Sequence, residues 1–325
     1  MGYQLTWRLM AAGHEVTLLN RGTHPDPFGA RVFRLRADRT RPEFLTAVAG
    51  RTFDAAVDFA AFQGADAEGV VKALEGCVGH YVMISTGQVY LVRAGATTPS
   101  REEQYDGPLM DAPPAGHRDR GDWEYGVGKR ACEDVLVEAW KARRFPSTRL
   151  RIPIVNGERD ASRRLEGYVW RILDSGPLLL PEGSARVRQV YSGAVVAAIL
   201  RVIADPATLG HAYNVCQRET PTLAELIALV AAVLGAPSRV VLVPSAEMQA
   251  AGLDPIAASP FSTRWKSFLD PGRGERELGL VHPPLGAYME RVIASLMAGW
   301  RDDPPSGYAQ RARELEFART LQARP

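Results

Sequence analysis

The chain has 325 residues, 46% of them hydrophobic, and its 39 basic and 37 acidic side chains leave a formal net charge of +2. This supports one large or two modest globular domains, and the even mixing of charges gives no electrostatic footprint for nucleic acid. No apolar run reaches the roughly 18 residues of a membrane span and no secretory signal pattern opens the chain, so no membrane association is expected and the expected location is the cytoplasm.

In chain order, "TWRLMAAG" reads as a helix stopped by Gly13, "HEVTLLN" as a buried strand, "RVFRLRAD" as a second strand and "PEFLTAVAG" as a helix. "FDAAVDFA" is a third strand, "ADAEGVVKALEG" a helix, and "GHYVMIST" the clearest strand of the chain. Residues 93–122, rich in Pro, Gly and charge, read as a long loop available to fold over a ligand. The helix "YGVGKRACEDVLVEAWKA" and the strand "STRLRIPIV" follow. Later come the helices "EGYVWRILDSG", "VVAAILRVIAD" and "TLAELIALVAAVLG", the strands "HAYNV" and "RVVLVP", and "YAQRARELEFARTLQARP", a charged pattern that reads as a solvated tail helix. Short strands alternating with helices are the pattern of an α/β fold with a parallel sheet covered by helices.

Cys77, Cys132 and Cys216 are odd in number and far apart, which fits reduced thiols packed as small hydrophobes. The six histidines are scattered, so no metal site is indicated. HExxH, CxxC, GxSxG and Walker lysine motifs are absent. Only four of the 39 basic residues are lysines, Lys72, Lys129, Lys141 and Lys266, which makes each one informative.

Tyr125 and Lys129 are four residues apart in "EYGVGKRACEDVL" and share a face of the helix they open. Upstream, "YVMISTGQVY" ends a strand in Ser85 and Thr86. Ligands of parallel α/β sheets gather at the carboxyl ends of the strands, where both features fall. With "ISTGQVY", "YGVGK", "LRIPIVNG", "YNV" and "TLAELIALVAAVLG" in this order, the sequence resembles the extended and atypical short-chain dehydrogenase/reductases, the group of NAD-dependent epimerases and dehydratases. The resemblance covers about residues 2–235. It implies a Rossmann-like doubly wound parallel sheet, N-terminally truncated, in residues 1–157, and a smaller α/β substrate-binding part in 158–325, with about 186–217 returning to the first part.

By that resemblance Tyr125 is the general acid/base, Lys129 lowers its pKa and contacts the cofactor, and Thr86 hydrogen-bonds the reacting oxygen. A phenol titrates near 10, and a neighbouring ammonium favours the phenolate. The family's 4,6-dehydratases carry an Asp-Glu pair directly after the Thr. Gly87 and Gln88 stand there and neither titrates, so an oxidoreductase or epimerase is expected and a 4,6-dehydratase is not. Glu124, beside Tyr125, reads as a surface carboxylate favoured by the helix dipole.

For the cofactor, the strand "VTLLN" runs into Asn20-Arg21-Gly22, where NAD-preferring proteins place an acid on the ribose 2′-hydroxyl. Arg21 suits a 2′-phosphate, so NADP is expected, with NAD the alternative. The resemblance adds Asp38 near the adenine amine, Ala60 and Ala61 beside the adenosine half, Gly2 in the phosphate turn, and Ser85 and Pro153 along the cofactor. It places Gln88, Asn156, Arg188 and Tyr191 toward a small-molecule substrate, and it implies a homodimer as the assembly to test.

Set beside that family, "MGYQLTWRLMAAGHEVTLLNRG" begins where a Gly-rich turn should be finishing, with Gly2 on the third glycine of G-x-x-G-x-x-G. The first strand, central in the 3-2-1-4-5-6 order, is then missing, and the expectation is two interior strands without a partner and a weakened or lost dinucleotide cradle. A start codon assigned too far downstream and a real truncation both explain it. Two other classes of function stay open: a cofactor-free isomerase, cyclase or lyase reusing Tyr125 and Thr86, and a dinucleotide-sensing or RNA-binding protein.

Overall fold

A computed structural model describes residues 1–41, 43–183 and 186–323. The elements begin with α1 (Gly2–Ala11), β1 (Thr17–Asn20), β2 (Phe33–Arg36), α2 (Glu43–Val48), β3 (Phe53–Asp58), α3 (Gly64–Leu74), β4 (Val78–Thr86), α4 (Gln88–Leu91), α5 (Arg120–Arg143), β5 (Ser147–Ile152) and β6 (Ile154–Asn156). They continue with α6 (Arg164–Leu173), β7 (Leu178–Pro181), β8 (Gln189–Tyr191), α7 (Ser192–Ile203), β9 (Ala212–Asn214), α8 (Leu223–Leu234) and β10 (Val240–Val243). The last are α9 (Ser245–Ala250), α10 (Pro255–Ala258), α11 (Gly272–Leu278), α12 (Leu285–Ala298) and α13 (Arg311–Gln322).

The chain divides into two units, the first being Met1–Pro153, Gly193–Val215 and Leu269–Val281 and the second the remainder. Where the sequence suggests one return to the first part over 186–217, the chain returns twice, at Gly193–Val215 and at Leu269–Val281. The run "STRLRIPIV" is two strands, β5 and β6, because Pro153 has no N–H to continue the ladder.

In the first unit β3, β4, β5 and β9 form a parallel sheet in that order, and β1 and β2 form a separate parallel pair. β5 is buried along its whole length and β4 at all but one position, whereas the residues of β1 and β3 are half-buried or exposed. Among the described residues β1 pairs with β2 alone and β3 with β4 alone. These are the two strands expected to lack a neighbour. Side chains join the two sheets instead. Leu19 and Leu35 from the pair pack into one core with Phe44 and Val48 of α2, Val70 and Leu74 of α3, and Leu136 of α5. Arg39, in the turn after β2, donates to Asp58 at the end of β3 at 2.7 Å.

Of residues 93–122, the last three already belong to α5, and the rest is tied down within the first unit. Arg93 donates to the carbonyls of Gln104 and Asp106, and the Glu102 carboxylate accepts the backbone N–H of Asn214 at 2.7 Å on the outer strand β9. The loop thus covers a sheet edge.

In the second unit β6 pairs with β8 and β7 with β10, both parallel. α8 opens on the capping box its sequence announces. Thr222 Oγ1 accepts from Glu225 N at 3.1 Å, Glu225 accepts from Thr222 N at 2.7 Å, and Gly235 ends the helix at φ 64°. α13 overturns the expectation of a solvated tail. Glu314 is fully buried, accepts from Arg171 Nη2 at 2.6 Å and from Arg311 Nη1 at 3.1 Å, and Arg311 also grips Asp174 at 2.6 Å. The helix looked solvated because its anchoring residues are charged, and here charge is what is buried. Among the described residues no helix is long and apolar enough to cross a membrane.

Two stability measurements follow. Glu314→Ala strands the Arg171 guanidinium, which is 1% exposed, and is expected to destabilise the second unit by about 3–5 kcal/mol, with most of the loss recovered in the Arg171→Met/Glu314→Leu double variant. Denaturant unfolding followed through Trp170 and Trp300, stacked at 4.8 Å in that unit, reads it directly. In the first unit, burial lowers the pKa of His80, bonded to Thr148 Oγ1 at 2.8 Å, from 6.5 to about 4. Between those values the unfolded chain takes a proton that the folded chain refuses, so this contribution is complete above pH 6.5 and is lost as pH falls toward about 4. His80→Gln should flatten the stability profile across that window by about 2–4 kcal/mol.

Candidate active site

The site begins where α5 lies against the carboxyl end of β4. Tyr125, Lys129 and Glu133 recur every four residues on α5 and so form one row along the helix. α5 can lie close to α4 and to the turn after β3 because of the two glycines in "YGVGK". A Cβ on Gly126 would meet Val92 Cγ1 at 2.6 Å and the Gln88 carbonyl at 3.0 Å; one on Gly128 would meet the Phe62 carbonyl at 2.3 Å. The motif is therefore a packing surface on both sides of the tyrosine-lysine turn.

Lys129 is 2% exposed and donates from Nζ to the Ile84 carbonyl at 2.8 Å. Burial lowers its pKa. Tyr125 is half-buried, its ring 6.2 Å from that of Phe62. Thr86, the last residue of β4, is buried, and its Oγ1 accepts from Gln88 N at 3.3 Å. Gln88 Nε2 donates to Asp122 Oδ1 at 3.3 Å on the first turn of α5. The structure thus gathers Thr86, Gln88, Tyr125 and Lys129 around one strand end. Glu124 forms an exposed pair with Arg120 at 2.6 Å.

One turn beyond Lys129, Glu133 is fully buried. It accepts from Arg151 Nη2 at 2.6 Å and from Ser85 Oγ at 2.5 Å. Burial pushes its carboxyl up, but the charge and hydrogen bonds of Arg151 outweigh burial and hold it below the usual carboxylate value. Arg151 continues to Tyr90 Oη at 2.6 Å, and Tyr90 donates to Asn214 Oδ1 at 3.0 Å. The Ser85 hydroxyl, assigned to the cofactor by resemblance, is directed to this buried carboxylate. Pro153, given the same assignment, is buried at the end of β5. Sequence reasoning passed over Glu133, Arg151 and Phe62. The available signal was Arg149 and Arg151 alternating with Leu150 and Ile152 in a strand expected to be buried. Cys132 Sγ lies 3.0 Å from the Gln63 carbonyl, and burial pushes its pKa up to about 12.

Around the ends of β1, β2 and β3, Asn20 is exposed, and the 67%-exposed Arg21 side chain is tethered only loosely, 4.0 Å from Asp38. Asp38 Oδ1 is committed to Thr40, accepting from its N at 3.0 Å and Oγ1 at 2.7 Å, which leaves Oδ2 on the side of Arg21. Ala60 is exposed and Ala61 wholly buried, so neither projects a side chain over the strand end. Asp58 holds this turn by accepting from Ala60 N at 2.8 Å and from Tyr81 Oη at 2.7 Å. Gly2 opens α1 with its Cβ direction 3.7 Å from the Phe59 ring. An exposed cation, a partly free carboxylate and two small residues fit the adenosine half of a dinucleotide. Among the described residues no cluster of His, Cys, Asp or Glu is placed to hold a metal ion.

In the second unit Asn156 and Tyr191 are opposite each other in the β6–β8 pair. Asn156, 1% exposed, donates to Gln189 Oε1. Tyr191 stacks on Tyr288 at 5.4 Å and donates to Glu158 at 2.6 Å; burial and that carboxylate push its pKa up to about 12. Arg188 is half-buried, 5.9 Å from the Phe268 ring centre.

The model of the NAD dependent epimerase/dehydratase family matches residues 1–216. Solved structures similar to this chain include Epimerase Mth375 of Methanothermobacter thermautotrophicus, 16% identical with TM-score 0.71 over 92% of this chain and 89% of that one. DesIV, a dTDP-glucose 4,6-dehydratase of Streptomyces venezuelae solved with NAD and TYD bound, is 19% identical with TM-score 0.70 over 93% of this chain and 95% of that one. A UDP-glucuronic acid 4-epimerase of Bacillus cereus, solved with its sugar nucleotide and NAD, is 15% identical with TM-score 0.66 over 92% and 96%. At these identities the likeness shows the Rossmann-like fold. No curated protein sequence matches the chain.

The close approach of α5 has a direct test. Gly128→Ala drives a methyl into a backbone oxygen and should cost about 1–3 kcal/mol in thermal or denaturant unfolding. Gly121→Ala, on the same helix with nothing within 4 Å of its Cβ direction, should be neutral or stabilising by about 0.5–1 kcal/mol. Equal effects at the two positions would remove packing as the reason for the motif.

Proposed function

The chain belongs to the NAD dependent epimerase/dehydratase family, and on that footing we propose that it is an NADP-dependent oxidoreductase or epimerase acting on a hydroxyl or carbonyl carbon of a small molecule or sugar nucleotide. The observation that carries this is the Lys129 ammonium, buried at the end of β4 on the Ile84 carbonyl and one helical turn from Tyr125. A buried cation beside a phenol favours the phenolate, so Tyr125 takes the hydroxyl proton when substrate is oxidised and returns it when a carbonyl is reduced. Thr86 holds the reacting oxygen by its hydroxyl. A bound nicotinamide supplies the hydride donor or acceptor. Arg21 and Asp38 hold the adenosine half, the arginine meeting a 2′-phosphate. Gly87 and Gln88 offer no acid or base for eliminating water, and the Gln88 amide is committed to Asp122, which supports redox or epimerisation over 4,6-dehydration.

Loss or gain of NADPH absorbance across a panel of ketones, aldehydes, alcohols and sugar nucleotides tests the reading. Tyr125→Phe should lower turnover by about 10²–10⁴-fold. Arg21→Ala should erase an NADP preference of about 10-fold or more while sparing NAD binding. No absorbance change with any substrate, together with no NADP or NAD binding by calorimetry, would sink the proposal.

A further inference from the structure

Phe62 is an apolar side chain that is 46% exposed in the turn between β3 and α3. Its N–H and that of Gln63 both donate to Asp66 Oδ2, at 2.7 and 3.0 Å, and its carbonyl is the atom against which Gly128 is packed. These contacts hold the backbone that carries the ring. The ring lies 6.2 Å from that of Tyr125 between centroids, tilted by 46°, and its face lies 4.9 Å from Lys129 Nζ. Among the described residues no carboxylate pairs with that ammonium, which has the Ile84 carbonyl and the Phe62 ring for company.

A buried lysine is normally kept charged by a carboxylate, which would also neutralise its field at a neighbouring group. An aromatic face stabilises the cation through its quadrupole and carries no net charge. We propose that Phe62 is a positioning residue of the acid/base pair: its ring keeps the Lys129 ammonium charged and fixed while leaving its field available to Tyr125. This rests on the reading of Tyr125 and Lys129 as that pair. The other titratable or charged groups facing Lys129 are Cys132 and Glu133 on α5, Asp58 at the end of β3 and Arg39 after β2. Asp58 and Glu133 favour the ammonium through space, but Asp58 is hydrogen-bonded to Arg39 and Tyr81 and Glu133 to Arg151 and Ser85, so the group in direct contact with the charge is the Phe62 ring.

The phenol titration of Tyr125 reads the effect without any substrate, as the tyrosinate absorbance difference between each protein and its Tyr125→Phe derivative. Lys129→Met should raise the Tyr125 midpoint by about one pH unit, and Phe62→Leu should raise it by a large part of that shift. Phe62→Trp, which keeps an aromatic face and has room because the side chain is half exposed, should restore the parent midpoint. A rise in Lys129→Met with none in Phe62→Leu overturns the role of Phe62 and leaves the pair intact. No rise in Lys129→Met overturns the pair and the proposal together. Phe62→Ile, checked for folding by circular dichroism, repeats the measurement should the leucine variant unfold.

Discussion

The buried ion pair between Glu133 and Arg151 is the constraint on which the first unit's working end depends. Taking a carboxylate and a guanidinium out of water costs several kcal/mol per ion, and the cost is offset only by good geometry and further hydrogen bonds. Glu133 has both: Arg151 approaches with Nε and Nη2, and Ser85 donates a third bond. Because Ser85 lies between Ile84 and Thr86, α5 holds two successive residues of β4, the Ile84 carbonyl through Lys129 and the Ser85 hydroxyl through Glu133. A slip of the helix by one residue would break both contacts. Arg151 extends the constraint to α4 and β9 through Tyr90 and Asn214. The register of α5 against β4 is thus set in part by charge buried one turn beyond Lys129.

How much of this was legible in the sequence depended on whether local pattern and tertiary need pointed the same way. β4 and α8 were readable because an unbroken apolar run and a complete capping box dictate strand and helix without outside help. The Tyr125–Lys129 row was readable from helical spacing alone. α13 was misread because Arg311 and Glu314 look solvated until Arg171 and Asp174 are brought to them from more than 130 positions away. The same blindness applied to Glu133, whose partner lies on another element. Phe62 carried no local signal, since an aromatic residue in a turn becomes meaningful only when α5 passes over it.

The two sheets of the first unit make a related point. Among the described residues no ladder joins β1 to β3, and most positions of both strands are only half-buried. Packing around Leu19, Leu35 and Phe44, with the Arg39–Asp58 pair, takes over the joining. Asp58 also holds Ala60 N, so the group that ties the sheets together shapes the turn against which a dinucleotide's adenosine half would rest. Sheet connection and site shape share one carboxylate, and a change there would be felt in both.

Arginine dominates the basic residues of this chain, with only four lysines among 39. Among the described residues the buried cations are Arg130, Arg149, Arg151, Arg171, Arg311 and a single lysine, Lys129. The division follows from chemistry. A guanidinium stays protonated and offers a planar fork of donors, so Arg151, Arg171 and Arg311 each engage a carboxylate and serve as fixed struts. An ammonium is a compact charge whose pKa yields to burial, which makes it a poor strut and a tunable neighbour for a phenol. Lys129, unlike Arg151, Arg171 and Arg311, is held by a backbone carbonyl and an aromatic ring, and that separates it from the structural ion pairs around it.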